Sequence, residues 1–429
     1  MKYLVILFIA LLSTATNAAV NIKHWQTATG AEVYFVENHD LPILDLSVNF
    51  PAGSARDTAE KSGLAGITKY MMTLGAGGMN EEDITNQFAD IGAALGGELD
   101  VDRASFKLRT LTSEQNKALA IFNTILHKPD FPADVLTREK TRIISGLKEA
   151  ETQPESISNK AFMKALYGVH PYSLDESGEV DTISVMQRED LIKFYQTYYT
   201  AKSATIALIG DMTEAQAREI ADKAAAGLPQ GDAIGKLPEV TLPLVANAQS
   251  IAHPASQAHI LLGYPGIKRG DADYFSLYVG NYILGGGGFV SRLTEEVREK
   301  RGLVYSVYSY FMPMAELGPF QIGLQTKKEQ AADALKVVNE TVAKFIADGP
   351  TEKELKAAKA NIIGGFPMRI DSNAKILDYL SVIGFYKLPL TYLEGYNKQV
   401  ANVTTKQIKE AFKRRVKPEH FVSVIVGEK

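Results

Sequence analysis

Apolar positions along this chain follow two rhythms, alternation and a helical repeat, and the switches between them outline its elements. Glu32 to Val36 and Ile43 to Phe50 are β-branched and aromatic runs that predict strands, joined through the turn-forming Asn38-His39-Asp40. A helical pattern capped by Ser62 runs to about Leu74, where Gly75 to Gly78 stops it, and a second begins near Glu81 with Ile84, Phe88 and Ile91 on one face. Alternation over Ala104 to Leu111 gives another strand. Helical spacing follows at about 114–127, 132–151, 154–168 and 188–199, then a strand over Ala204 to Ile209 and a helix at about 214–226.

Between Leu228 and Pro243 neither rhythm holds, and prolines and glycines mark a linker. The pattern then repeats. Ala258 to Tyr264 is a strand ending in Tyr264-Pro265, as the earlier one ends in Phe50-Pro51, and each is followed by a polar turn, an apolar helix and a glycine cluster. Both halves also close alike: Leu191 and Tyr195 precede Ile206 to Ile209 with Gly210-Asp211, and Ile408 and Phe412 precede Val422 to Val426 with Gly427-Glu428. Two copies of one α/β (α+β) unit, each a mostly antiparallel sheet packed with helices, are expected. The expected divisions are 19–227, a linker over 228–250, and 251–429.

At 429 residues the chain exceeds one typical core, in keeping with two domains. The formal charge of -4 argues against a nucleic-acid partner. The apolar run Leu4 to Leu12 after Lys2, followed by small residues, predicts a signal peptide removed after Ala18 or Ala19. That run is too short for a stable membrane anchor, so the mature protein is expected to be exported, in the periplasm. The absence of cysteine excludes disulfides, thiolate metal sites and cysteine nucleophiles.

Candidate chemistry concentrates between Asn281 and Phe311. Each residue of the glycine run Gly285, Gly286, Gly287 and Gly288 is costly inside a helix or strand, so the run is expected to be a mobile loop or a close-approach site. Val290 to Arg298 predicts a helix with Leu293 and Val297 on one face, and Val304 to Tyr310 predicts a strand. A bend at Arg301-Gly302 then brings Arg298 and Tyr305 to one cleft mouth, where a guanidinium and a phenol suit peptide carbonyls or a carboxylate. Spacing alone favours a plainer reading, a surface arginine and a half-buried strand tyrosine. Elsewhere, His253 and His259 are expected on one strand face with no third ligand, and His170 in a turn.

Phe50-Pro51-Ala52-Gly53-Ser54, Ser62-Gly63-Leu64-Ala65, His170-Pro171-Tyr172, the glycine run, and Arg298 to Tyr305 occur in an order that resembles the pitrilysin and insulinase-like zinc peptidases, in their two-subunit branch. The resemblance covers about Val20 to the end. Active members carry H-x-x-E-H after the Gly-Leu-Ala segment, two histidines for zinc and a glutamate to activate water. Here the aligned residues are Gly66-Ile67-Thr68-Lys69-Tyr70, so both histidines are missing and a lysine replaces the base. The distant third ligand falls at Gly146, and Gly96-Gly97 stands where members often have Asn-Ala. A shifted register recruits Glu139 or Glu149 at most, and one carboxylate cannot hold catalytic zinc. No metal is therefore expected in this chain.

The resemblance implies a division of labour, in which one subunit supplies the zinc motif and the other supplies an arginine and a tyrosine that hold peptide across a cleft. Arg298 and Tyr305 match that second pattern. The chain is expected to be a non-catalytic, substrate-binding subunit, without peptidase activity alone, whose zinc resides in a partner of the same family. The rival reading is a peptide-binding or scaffold protein with no peptidase partner.

Overall fold

The computed structural model describes residues 20–427, so the expected signal peptide, Met1 to Ala18, lies outside the described residues. In the first half, β1 (Lys23–Gln26), β2 (Glu32–Glu37) and β3 (Ile43–Phe50) precede α1 (Leu64–Met71). A two-residue hairpin, β4 (Gly75–Ala76) and β5 (Met79–Asn80), leads to α2 (Glu81–Asp90), whose start is fixed by the reciprocal side-chain caps of Asn80 and Asp83. Then come β6 (Ala94–Gly96), β7 (Ala104–Leu111), α3 (Gln115–His127), α4 (Ala133–Ala150), α5 (Pro154–Tyr167), α6 (Val180–Val185), α7 (Arg188–Tyr198), β8 (Thr205–Gly210) and α8 (Glu214–Ala226).

Six of these strands form one sheet in the order β1-β2-β8-β3-β7-β6. The turn at Asn38-His39-Asp40 therefore does not close a hairpin. β8 lies between β2 and β3, parallel to the first and antiparallel to the second. Burial explains the insertion: every residue of β8 is buried, so this apolar strand takes a central place rather than an edge.

The second half comprises β9 (Asn247–Ile251), β10 (Gln257–Ile267), α9 (Tyr274–Asn281), β11 (Val304–Phe311), β12 (Gly318–Lys327), α10 (Ala331–Asp348), α11 (Glu352–Gly365), α12 (Asn373–Phe385), α13 (Tyr392–Asn402), α14 (Thr405–Arg415) and β13 (Val422–Val426). Its sheet runs β11-β12-β10-β13-β9, with only β9 and β13 parallel. Read from the other edge, this is the order β2-β8-β3-β7-β6 of the first sheet, in the same chain sequence. The repeat seen in the apolar pattern is thus a repeat of topology. β9 begins at Asn247, inside the stretch expected to be linker, because its backbone pairs with β13 although its side chains are mostly exposed.

Each half lends a helix to the other. α5 packs on β10 and β13 of the second sheet, and α12 packs across β8, β3 and β2 of the first. Close approach is possible because glycine stands at each contact: a Cβ on Gly263 would meet the ring of Phe162, and one on Gly384 the ring of Tyr34. One apolar cluster consequently holds Tyr34, Val36 and Ile209 together with Leu377, Leu380 and Ile383. The seam also carries buried polar chemistry. Asp102 accepts the Tyr172 hydroxyl at 2.7 Å, the Tyr386 hydroxyl at 2.8 Å and the Ala315 amide at 2.7 Å, the last two from the second half. Among the described residues no helix is long and apolar enough to cross a membrane.

Candidate functional site

Gly66 and Tyr70 sit four residues apart on α1 and so share a face, and Gly146 lies within α4. All three line a single cavity of about 420 Å³. The positions that the resemblance aligns with the zinc ligands therefore meet in space. Two of them have no side chain to offer. A Cβ on Gly66 would come 3.1 Å from the carbonyl oxygen of Glu176, whereas one on Gly146 would meet nothing within 4 Å.

Lys69 turns away from this cavity. Its Nζ donates to the carbonyl of Gly97 at 3.3 Å and lies 5.2 Å over the ring of Phe106, and burial pulls its pKa below the usual lysine value. Tyr70 stays at the mouth, with the Arg142 guanidinium 5.2 Å over its ring. Glu139, a nearby carboxylate, is buried and bonded to Arg138 at 2.8 Å and to Arg142 at 2.7 Å, which hold its pKa low. Zinc wants three or four converging imidazole, thiolate or carboxylate donors. Two glycines, a phenol, the lone Glu176 carboxyl at the cavity wall, whose pKa burial raises, and a Glu139 carboxylate engaged by two guanidinium groups do not fit it.

The second candidate group lies on the other half. Arg298 is held between two rings, 4.9 Å from the centroid of Phe289 and 5.3 Å from that of Tyr305. The bend at Arg301-Gly302 does join Arg298 and Tyr305, and Gly302 takes φ of 61° there, a left-handed conformation that glycine adopts without strain. Tyr305 stands at a register shift between Val304 and Ser306 on the outer strand β11, and this bulge aims it outward. It is 81% exposed and Phe289 is 75% exposed, so the plainer expectation of a half-buried strand tyrosine fails.

The glycine run is not a loop throughout. Tyr282–Gly286 continues α9 as a wide π-type turn, and Gly288–Val290 is a short 3₁₀ turn. The reason is close packing: a Cβ on Gly285 would lie 2.3 Å from the Ser309 hydroxyl on β11, and one on Gly287 would lie 2.6 Å from the Tyr282 carbonyl of its own turn. Asn281 fastens the same segment, donating to the Ser309 carbonyl at 2.8 Å and accepting the Ser309 hydroxyl at 2.6 Å. Gly286 and Gly288 have different surroundings. A Cβ on Gly286 would crowd the Asn281 amide, while Gly288 faces open space with φ of 63°. Val290 to Arg298 is likewise wound in wide turns over Thr294–Glu299, with Leu293 and Val297 buried on one face as expected. Phe289 escaped the sequence reading; its signal was an apolar residue directly after the glycines.

The histidines form no further site. His259 lies in β10, but His253 precedes that strand and its Nε2 contacts the Thr152 carbonyl at 3.0 Å, so the two do not share a strand face. His170 caps a short turn, its Nδ1 accepting the Tyr172 amide at 3.1 Å. Asp102, the buried hub of the seam, carried no motif that singled it out.

Known proteins place this arrangement. Residues 33–176 match the family described as Insulinase (Peptidase family M16), and residues 186–362 match the Peptidase M16 inactive domain. A protein of Bacillus subtilis named uncharacterized zinc protease YmxG is 26% identical over 83% of this chain and 86% of its own. One of Helicobacter pylori, named non-peptidase homolog YmxG, is 24% identical over 100% and 99%. The crystal structure of a peptidase M16 inactive domain from Pseudomonas fluorescens, 38% identical, matches with a TM-score of 0.92 over 95% of this chain and 98% of that one. A Helicobacter pylori protease, 18% identical, has the same fold with a TM-score of 0.87 over 95% of this chain and 99% of its own. The chain belongs to the peptidase M16, or insulinase, family, as an inactive peptidase-like member whose zinc-motif positions hold neither histidine nor carboxylate.

Proposed function

We propose that this chain is the non-catalytic, substrate-binding subunit of an exported heterodimeric zinc peptidase that acts on peptides. One observation carries the reading: Arg298 is held between Phe289 and Tyr305 on an exposed surface, while the zinc-motif positions of the same chain lack ligands. Arg298 presents donors for a peptide carbonyl or carboxylate, and the rings keep its guanidinium in place. Tyr305 supplies a hydroxyl that steadies developing negative charge on the scissile carbonyl. The zinc, and the base that activates water, belong to a partner of the same family. The apolar run at the N-terminus supports export to the periplasm, which intact-mass measurement of the envelope protein checks through loss of the first 18 or 19 residues.

The deciding experiment is reconstitution. The chain alone leaves peptides intact, and mixing it with a related chain that carries H-x-x-E-H gives hydrolysis. Tyr305→Phe removes one hydroxyl, so turnover falls by roughly a hundredfold or more while the complex still assembles. Arg298→Ala also raises KM, because ground-state binding is lost. If both variants keep the reconstituted rate within about twofold, far from the effect of a lost oxyanion donor, the scaffold reading replaces this one.

A further inference from the structure

The cavity between α1 and α4 is left open by two glycines, of which Gly146 is one that its helix does not need. Gly146 lies inside α4, where glycine weakens a helix relative to alanine, and a Cβ there meets no atom within 4 Å. Nothing in the packing excludes a side chain at this position. What its absence does is keep space open between Gly66 and Gly146, walled mainly by Ile67, Ile143 and Leu147, with Glu176 and Ser177 also lining it and Tyr70 at the rim. At about 420 Å³ the space lies within the roughly 300–1,000 Å³ typical of small-ligand sites.

The rim has a defined chemistry. Arg142 gives its Nε to Glu139, and its terminal nitrogens make no hydrogen bond among the described residues. Its guanidinium is stacked on Tyr70 and so held at the mouth. An apolar wall beneath a guanidinium and a phenol is complementary to an apolar side chain followed by a carbonyl oxygen.

We infer that the vacated metal site is a pocket for a branched apolar residue of a peptide, its side chain between Gly66 and Gly146 and its carbonyl oxygen toward Arg142. This deepens the peptide-binding reading and rests on it for the class of ligand. In consequence the chain selects among peptides by an apolar residue, in addition to the hold that Arg298 provides.

The test uses the purified chain, methyl-labelled at isoleucine, titrated with N-acetyl-L-leucinamide and with N-acetylglycinamide. The leucine compound should shift the Ile67 and Ile143 methyl signals saturably, and the glycine compound should not. Gly146→Leu, whose Cβ meets no atom within 4 Å, extends into the space and should weaken leucinamide binding at least tenfold, while Gly146→Ala, a smaller filling, weakens it less. Equal shifts with both compounds, no shift with either, or unchanged affinity in Gly146→Leu overturns the pocket. A parallel titration with a labelled peptide separates the two ideas. Peptide binding that depends on Arg298 but is indifferent to Gly146→Leu sinks the pocket and leaves the proposed function standing. Leucinamide binding at these methyls without any Arg298-dependent peptide binding sinks the proposed function and leaves the pocket.

Discussion

The guanidinium of Arg298 lies 4.9 Å from the ring of Phe289, nine residues before it, and 5.3 Å from that of Tyr305. Because Phe289 is 75% exposed, it adds little to the core, and its ring meets the Arg298 guanidinium. An exposed cation–π contact contributes about 0.5–1 kcal/mol, so Phe289→Ala should weaken peptide binding by roughly two- to fivefold. Melting temperature should fall only slightly, by the few degrees at most that about 0.5–1 kcal/mol allows. Titration of a labelled peptide together with a thermal melt checks both halves of this expectation.

Gly146 offers a cleaner test of the cavity's cost. Gly146→Ala should stabilise the chain by about 0.5–1 kcal/mol, the usual penalty of a helix-interior glycine, since its Cβ enters open space. Gly66→Ala should gain less, because the Glu176 carbonyl at 3.1 Å crowds the new methyl. Denaturant melts of the two variants rank them. A larger gain at Gly66 than at Gly146 contradicts the packing described here.

Arg292 and Glu354 tie the segment behind the glycine run to the start of α11, through bonds of 2.7 and 2.8 Å. Arg292 also donates to the Gly349 carbonyl at 3.1 Å and lies 5.0 Å over Phe345. The arginine, then the Thr351 amide and hydroxyl, hold the Glu354 carboxyl down at about 2, well below the usual carboxylate range. A lowered carboxylate pKa means that the unfolded chain binds the proton first. The stabilisation is whole above about pH 4.5 and is lost as pH falls through about 2. Melts between pH 6 and pH 2 should show a shallower acid decline in Glu354→Gln than in the parent chain, with a lower melting temperature at neutral pH.

Much of this was written in the apolar pattern, and the exceptions have physical causes. The strands β3, β7, β10 and β13 follow from local alternation, and the repeat follows from matching landmarks such as Phe50-Pro51 and Tyr264-Pro265. The place of β8 between β2 and β3 depends on pairing across about 170 residues, which no local rhythm encodes. Gly66, Tyr70 and Gly146 were legible only as gaps in a family motif, and their meeting in one cavity is a tertiary fact. The glycine run was legible as a close-approach site but not by what it approaches, because glycine cost was weighed within its own segment. The pressing constraint was Ser309 on β11, more than twenty residues away, against which a side chain at Gly285 would collide.

The metal content follows from the donor set. Purified chain dialysed against buffer should carry far less than one zinc per molecule by elemental analysis, since Gly66 and Gly146 have no donor atoms and Glu139 is engaged by Arg138 and Arg142. Stoichiometric zinc that survives dialysis would show that other residues assemble a site.

Asp102 should matter more to stability than any residue of the candidate sites. It is 5% exposed, has no cation bonded to it among the described residues, and accepts two tyrosine hydroxyls and an amide at the seam where the halves exchange helices. Burial raises its pKa, whereas these three donors oppose the rise. Asp102→Ala removes the partner of the half-buried Tyr386 hydroxyl and of the amide of exposed Ala315, and a group left unpaired costs at most about 1–3 kcal/mol, less where water reaches it. Tyr172 keeps one bond, because its hydroxyl oxygen accepts the Glu316 amide at 2.9 Å. Tyr386→Phe should cost less than Asp102→Ala, because Asp102 retains its other two donors. In a double-mutant cycle the two changes should fall short of additivity by about 1 kcal/mol or more, as expected of partners in one network. Urea melts of the four proteins measure this. Additive losses would mean that Asp102 stabilises the seam without help from Tyr386.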